Sequence, residues 1–489
     1  MNGYWLLVAG ALALTACAPP PGDGARFDFG VPNSSIILDP RFATDAHSAR
    51  IARLLYRAPV DFDDQFRPVP ELMTWQVIAP RHYRFVVRRP PGRFHDGTAI
   101  TARDVAATYR SILAPDSGSP HRGPLSHVTR VLVVDDQTVD FHLSRADPLF
   151  PGRLVHGILP ASELGGTTTR FTGSGPFEYL AGASGGVLRL RRRSDGFEIA
   201  FHQVSDPAVR VLKLIRGELD LIQNDLSPEL MTYAAGRPGV RLLRRPGSNF
   251  AYLGFNLADP VTGRVAFRQA VAHAVDRDGI IEQLWRGFAR PAQSVLAPEH
   301  WAAHPALTPY PYAPERARRL LQDAFPGQQR IAVSYKVSTD PLRLRVATIV
   351  QHQLARVGID LTVQSHDWGA FYADVKAGRF QMYSLAWVGI KMPDIFRYLF
   401  HSSSLPPAGA NRGRFQDSAI DRLIEAAEAR PVAADAAAWR DLQARLHQML
   451  PYVPLWYEDQ VALMRADWAG YELTADGNYD ALARVRHDR

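Results

Sequence analysis

Two imidazoles four residues apart, His300 and His304, with Glu299 beside the first, come close to the spacing at which one helix face offers zinc ligands. Pro298 and Pro305 bracket them and leave no room for a stable helix, so the segment is expected to be a surface loop without a metal. No lysine-ended phosphate loop, dinucleotide fingerprint or G-x-S-x-G elbow occurs in the sequence; Gly173-Ser174-Gly175-Pro176 is a glycine turn with the wrong spacing. No catalytic residue, metal site or cofactor is expected, and a hydrolase built from scattered Ser, His and Asp is an alternative that no particular residue supports. Distinctive covalent chemistry is confined to Cys17, the single cysteine in 489 residues.

That thiol follows an apolar run from Tyr4 to Leu14, and Leu14-Thr15-Ala16-Cys17 resembles the bacterial lipobox, in which the cysteine is lipidated and the preceding peptide removed. The run is too short for a permanent membrane span. Residues 18–24, Ala-Pro-Pro-Pro-Gly-Asp-Gly, can neither pack nor form a helix and suit a tether. The mature chain is therefore expected at the extracytoplasmic face, as a periplasmic lipoprotein. Ala18 stands where an aspartate would resemble an inner-membrane retention signal, which leaves an outer-membrane anchor open. With Cys17 lipidated no thiol is left for disulfides or metal, and a chain this long builds two or three lobes with cores of their own. The net charge of +7 is spread along the chain; its densest run, Arg191-Arg192-Arg193, abuts Asp195, so a solvated surface is expected and nucleic acid is not a partner.

The elements that position any site are legible from period and punctuation. Tyr83, Phe85 and Val87, then Val139, Phe141 and Leu143, then Leu188 and Leu190 alternate as half-buried strands. Thr101 and Asp104 form a capping box ahead of a helix carrying Val105, Tyr109, Ile112 and Leu113. Further on, Phe267 to Val275 and Val346 to Val357 read as amphipathic helices, the second ended by Gly358 and followed at once by the strand Ile359, Leu361, Val363. A helix feeding a strand so directly marks an α/β fold. Trp368 to Val375 gives another helix stopped at Gly378, Phe380 to Trp387 a central strand, and 417–428 and 434–450 two late helices.

Several segments together resemble the family 5 solute-binding proteins of ABC importers, which take peptides, nickel, opines and related solutes. The most specific is Phe94-His95-Asp96-Gly97-Thr98-Ala99-Ile100-Thr101-Ala102-Arg103-Asp104-Val105. Leu38-Asp39-Pro40, Gly173-Ser174-Gly175-Pro176-Phe177, Arg216-Gly217-Glu218-Leu219-Asp220, Tyr252-Leu253-Gly254-Phe255-Asn256, Phe267-Arg268-Gln269-Ala270 and Ala274-Val275-Asp276-Arg277 follow in the family's order. Asp96 and Asp104 read as scaffold, and Arg268 and Arg277 as surface or interlobe ion pairs. The resemblance implies an α/β, periplasmic-binding-protein-like fold (type II, cluster C) with two hinged lobes and an inserted strand-rich subdomain. Lobe I would comprise 25–65, 169–255 and 456–489, the insert 66–168 and lobe II 256–455, with crossings at Phe255-Asn256 and Leu455-Trp456.

The same resemblance implies the site. Trp387 matches the family's cleft tryptophan, and Trp456 or Tyr457 the aromatic where the chain returns to lobe I. Peptide binders carry an aspartate three residues after that tryptophan; here the position is Ile390, with Lys391, Asp394 and Arg397 close by, and Thr44, Asp45 and His47 at the expected cleft edge of lobe I. The implied function is capture of a peptide-like solute for an ABC permease and its ATPase by a monomeric, membrane-anchored receptor. An opine, oligosaccharide, metal chelate or haem-like solute is the alternative that Ile390 favours, and a chemosensory or assembly lipoprotein a third.

Overall fold

The computed structural model describes residues 26–32, 36–164, 171–182, 186–430 and 436–488, so Cys17 and the expected tether lie outside it. A long sheet runs through the molecule in the order Ile359–His366, Ile331–Ser338, Met382–Trp387, Val240–Phe255, Tyr452–Arg465, Leu221–Gln223, Arg26–Val31, Glu198–Gln203, Val187–Arg192 and Phe177–Ala181. Each end is built on parallel pairs. In lobe II, Ile331–Ser338 runs beside Ile359–His366 with Ile331 opposite Ile359, joined by the helix Pro341–Ala355. Asp340 caps that helix by accepting from the Arg343 amide, and Pro341 pre-sets its first turn. In lobe I, Arg26–Val31 lies parallel between Glu198–Gln203 and Leu221–Gln223, with the helix Pro207–Ile215 in the crossover. Phe27, Phe29 and Val31, and likewise Val333, Tyr335 and Val337, alternate onto one face of their strands and are buried against the helices packed there. No helix among the described residues is long and apolar enough to cross a membrane.

The expected helices appear at Val265–Ala274, Trp368–Ala377, Ser418–Glu428 and Ala437–Met449. Gly378 ends the second of these at φ 77°, a left-handed backbone that other residues disfavour.

Two strands, Val240–Phe255 and Tyr452–Arg465, belong to both lobes. They pair from Val240 opposite Arg465 to Arg245 opposite Gln460, lose register, and resume from Asn249 opposite Glu458 to Gly254 opposite Tyr452. Pro246 in the break cannot donate to the ladder, and a Cβ on Gly247 would stand 2.2 Å from the Glu458 carbonyl oxygen. Phe250 and Tyr252 pack in one lobe II core, and Ala251, Leu253 and Phe255 in the other. The expected crossings at 255–256 and 455–456 lie near one end of this strand pair, whereas its register is lost at 245–249 opposite 458–460.

Between Val60 and Ile158 the chain forms an antiparallel sheet, Met73–Ala79, His82–Val87, Thr138–Leu143 and Val128–Val133, against the helix Ala102–Leu113. Tyr83, Phe85, Tyr109, Phe141 and Phe150 fill the space between them. The capping box is present, with Asp104 accepting from the Thr101 amide at 2.9 Å. Entry and exit are tied together: the Ile158 amide donates to the Arg57 carbonyl at 2.9 Å and the Val60 amide to that of Leu154 at 3.1 Å. The Phe94–Val105 signature fastens this insert to lobe I. His95 Nδ1 accepts from the Gly173 amide at 3.2 Å and Nε2 donates to the Gly175 carbonyl at 3.1 Å. A Cβ on either glycine would lie 2.0 to 2.2 Å from a carbonyl oxygen of Leu54 or Leu55, so the motif needs glycine at both.

Three arginine expectations are corrected. Arg268, 2% exposed, donates to the carbonyls of Thr262, Met449 and Leu450, and Arg277 to those of Ala292, Pro454 and Tyr310; neither is a surface or interlobe ion pair. Arg192, expected in solvent, is buried and bridges Asp195 to the Leu482 and Val485 carbonyls.

Candidate functional site

The C-terminal ends of the parallel strands in lobe II, at Ser338, His366 and Trp387, form the edge where α/β sheets take their ligands. Trp387 is half-buried there. The Arg412 guanidinium lies 4.7 Å from its ring centroid, and Tyr398 meets it edge-on at 6.1 Å. Arg412 also donates to the Tyr372 hydroxyl at 3.0 Å, and Trp368, 59% exposed, stacks on Tyr372 at 5.5 Å. The result is a run of aromatic faces around one fixed cation, suited to a solute's planar or apolar parts.

From Trp387 the chain turns through exposed Val388 and Gly389 into Ile390 and Lys391, and this turn meets the rest of the molecule. Lys391 Nζ reaches Asp476 of lobe I at 2.7 Å, and Asp394 receives Arg153 of the insert at 2.8 Å. The Trp301 amide donates to the Gln65 carbonyl at 3.0 Å, while His300 stacks on Phe66 with centroids 5.6 Å apart. Lobe II thus closes on both lobe I and the insert.

At that seam lies a cavity of about 400 Å³, walled by the helix Ala46–Leu55, by Asp61 and Phe62, by His121 and His156 of the insert, and by Lys391. Arg53 spans it, donating to Asp480 at 2.9 Å and to Asp61 at 2.9 Å. Burial depresses both imidazoles, His156 to about 3, so they stand neutral as donor and acceptor; His121 Nε2 donates to the Ala43 carbonyl at 3.0 Å. Burial and the neighbouring Asp61 raise Glu71 on the same wall. Charges of both signs and neutral hydrogen-bonding groups are set among apolar walls such as Ala52, Tyr56, Phe62 and Val155, which suits a solute with both polar and apolar parts, and the walls show no nucleophile held by a base and orienting acid.

The residues singled out from the sequence scatter around this seam. Thr44 is exposed; Asp45 caps the helix Ala46–Leu55; His47 is buried, its Nδ1 accepting from Tyr479 at 2.7 Å and its Nε2 donating to Asp225 at 3.2 Å. Arg397 turns into lobe II and pairs with Glu428 at 2.7 Å. Trp456 is a core residue packed on Trp285 at 5.7 Å, and the Tyr457 hydroxyl is spent on the Ser294 and Leu296 carbonyls at 2.7 Å; both are corrected to scaffold. Ile390 is 8% exposed in an apolar cluster, and Asp394 is already engaged by Arg153, so no free carboxylate follows Trp387 closely. His300, expected on a surface loop, is 4% exposed because Phe66 covers it; the loop itself is not helical, as its prolines require. Arg412 and Arg53 were not visible in the sequence, since a lone arginine carries no local signal of the rings or acids around it.

Comparison with known proteins fits this geometry. The chain is 27% identical to heme-binding protein A of Haemophilus influenzae, over 73% of this chain and 69% of that protein. It is 25% identical to the peptide transport periplasmic protein SapA of Salmonella typhimurium, over 90% and 88%. The fold superimposes on the oligopeptide-binding protein AppA of Bacillus subtilis, solved with a nonapeptide, at a TM-score of 0.75 and 20% identity, covering 95% of this chain and 99% of that one. Residues 80–406, two-thirds of the sequence, match the bacterial extracellular solute-binding proteins, family 5 Middle, and the chain belongs to that family of transport binding proteins rather than to any enzyme family.

Proposed function

We propose that this protein is the receptor of an ABC importer, which captures a peptide-like solute between its lobes and delivers it to the permease and its ATPase. The observation that carries this reading is the seam: a cavity of mixed apolar and charged lining walled by lobe I, the insert and Lys391 of lobe II, with Lys391–Asp476 and Arg153–Asp394 holding the parts together. A solute held there takes one wall from lobe II, so parting those pairs loosens its grip, which is how hinge closure commits a receptor to its load. Relatives named for peptide transport support the solute class. In this reading Cys17 carries a lipid that holds a monomer at the extracytoplasmic face; incorporation of labelled fatty acid, lost in Cys17→Ser, is the matching test.

One observation favours a second reading. With Ile390 apolar and Asp394 bound to Arg153, a peptide's ammonium lacks the acid that resembling peptide binders place there, and a relative is named for haem. Native mass spectrometry of the protein, produced in its own host without its first 17 residues, separates the two. A ladder of peptide masses supports the first; a single non-peptide mass transfers the assignment to an opine, oligosaccharide, metal chelate or haem-like solute.

A further inference from the structure

The face of the inserted sheet turned away from its core carries a cluster that solute capture does not use. Along His82–Val87 and Thr138–Leu143, Tyr83, Phe85, Val139 and Phe141 point into the core, so His82, Arg84, Asp140 and His142 share the opposite face. The strand register sets His82 directly across from His142 and Arg84 across from Asp140. His82 Nε2 lies 3.0 Å from Asp140 Oδ2, and the two imidazoles stack at 4.3 Å. One ligand atom from each of His82, Asp140 and His142 falls within 4.8 Å of the others.

We propose that His82, Asp140 and His142 form a binding site for a divalent transition-metal ion of the zinc type, separate from the solute cavity. Ligands at about 2.0–2.1 Å from a tetrahedral ion stand roughly 3.3 Å apart, a separation that His82 and Asp140 already nearly have and that His142, within 4.8 Å of both, reaches by turning its ring out of the stack. Two imidazoles and one carboxylate select zinc, nickel or copper over calcium or magnesium, and leave a fourth position to water. His82 Nε2 is also a buried atom without an aligned hydrogen bond, despite its short distance to the carboxylate. An ion between the two would give His82 Nε2 the partner it lacks. Arg84 donates to both Asp140 oxygens at 2.8 Å, which orients the carboxylate while repelling a cation; Arg130, opposite His142, adds to the repulsion. The affinity is accordingly set in the micromolar range.

The test uses the full chain, stripped with chelator and titrated calorimetrically with Zn²⁺, with Co²⁺ absorption as a second probe of coordination. One equivalent bound more tightly than about 10 μM, and weakened at least about tenfold in both His142→Ala and Asp140→Asn, is the expected result. Arg84→Gln tightens binding by lifting the repulsion. Weaker binding in the parent, or the same affinity in the His82→Ala/His142→Ala double variant, overturns the assignment. Circular dichroism of each variant checks that the sheet is intact, and solute affinity measured alongside stays at the parent value.

Discussion

Arg268 and Arg277 hold their charge among backbone carbonyls with no acid bonded to the guanidinium, and burial alone lowers Arg268 to about 10. The fork of a guanidinium reaches several carbonyls at once, which an ammonium cannot. Arg268→Met leaves the Thr262, Met449 and Leu450 carbonyls dry and unpaired, and is expected to lower the unfolding free energy in urea by about 2–4 kcal/mol. Arg268→Lys recovers only part of the loss. The motif segment that carries Arg268 does not announce this role, because most of its partners are main-chain atoms some 180 positions away. Trp387 was legible and its setting was not. Its neighbour Arg412 comes from a loop with no periodic signal. Trp387 lies outside the seam cavity, so Trp387→Ala is expected to weaken binding at least about tenfold for a solute long enough to reach from the cavity to that ring, while the melting temperature holds within a few degrees. A collapse of folding instead would assign the ring to the core.

Among elements, the helices could be read because caps and period are local: Thr101 with Asp104, Gly358, Gly378. The loss of register in the long strand pair could not. It falls inside two continuous strands, where the pattern of buried residues runs on and only Pro246-Gly247 marks the break. Tyr252 to Asn256 resembles a boundary because a strand ends there, and Tyr252, Leu253 and Phe255 pack in the cores of lobe II. The contact at Gly247 gives that break a measurable weight. Gly247→Ala drives a methyl into the Glu458 carbonyl and is expected to destabilise the fold by about 1–3 kcal/mol, with a shifted domain angle in small-angle scattering. Unchanged stability and scattering would show that the break tolerates a side chain.

At the scale of the molecule, stability is coupled to protons through His300, the ring that stacks on Phe66 where lobe II meets the rest of the fold. Its Nε2 donates to the Lys391 carbonyl at 3.2 Å, its Nδ1 accepts from the Ala302 amide at 3.0 Å, and burial lowers it to about 4. The ring must stay neutral to make both bonds. An exposed histidine titrates near 6.5, so the contribution is fully present above that pH and is lost as pH falls toward 4, by up to about 3 kcal/mol. Urea unfolding at pH 7.5, 6 and 5 should show the slope; His156, lowered by burial in the same direction, adds to it, and the difference between parent and His300→Asn isolates the share of His300. An identical slope in that variant would remove His300 from the account. One further consequence lies in the way the chain leaves and rejoins lobe I. Arg57 bonds Ile158, and Val60 bonds Leu154, so roughly a hundred residues with a core of their own leave and rejoin lobe I at two adjacent points, with His95 and Arg153 as side-chain ties beyond them. Such a segment is a cassette: recombination can swap it between related genes, or prune it to a short turn, without cutting a strand of the long sheet, and the wall of the cavity that carries His121 and His156 changes hands as one heritable unit.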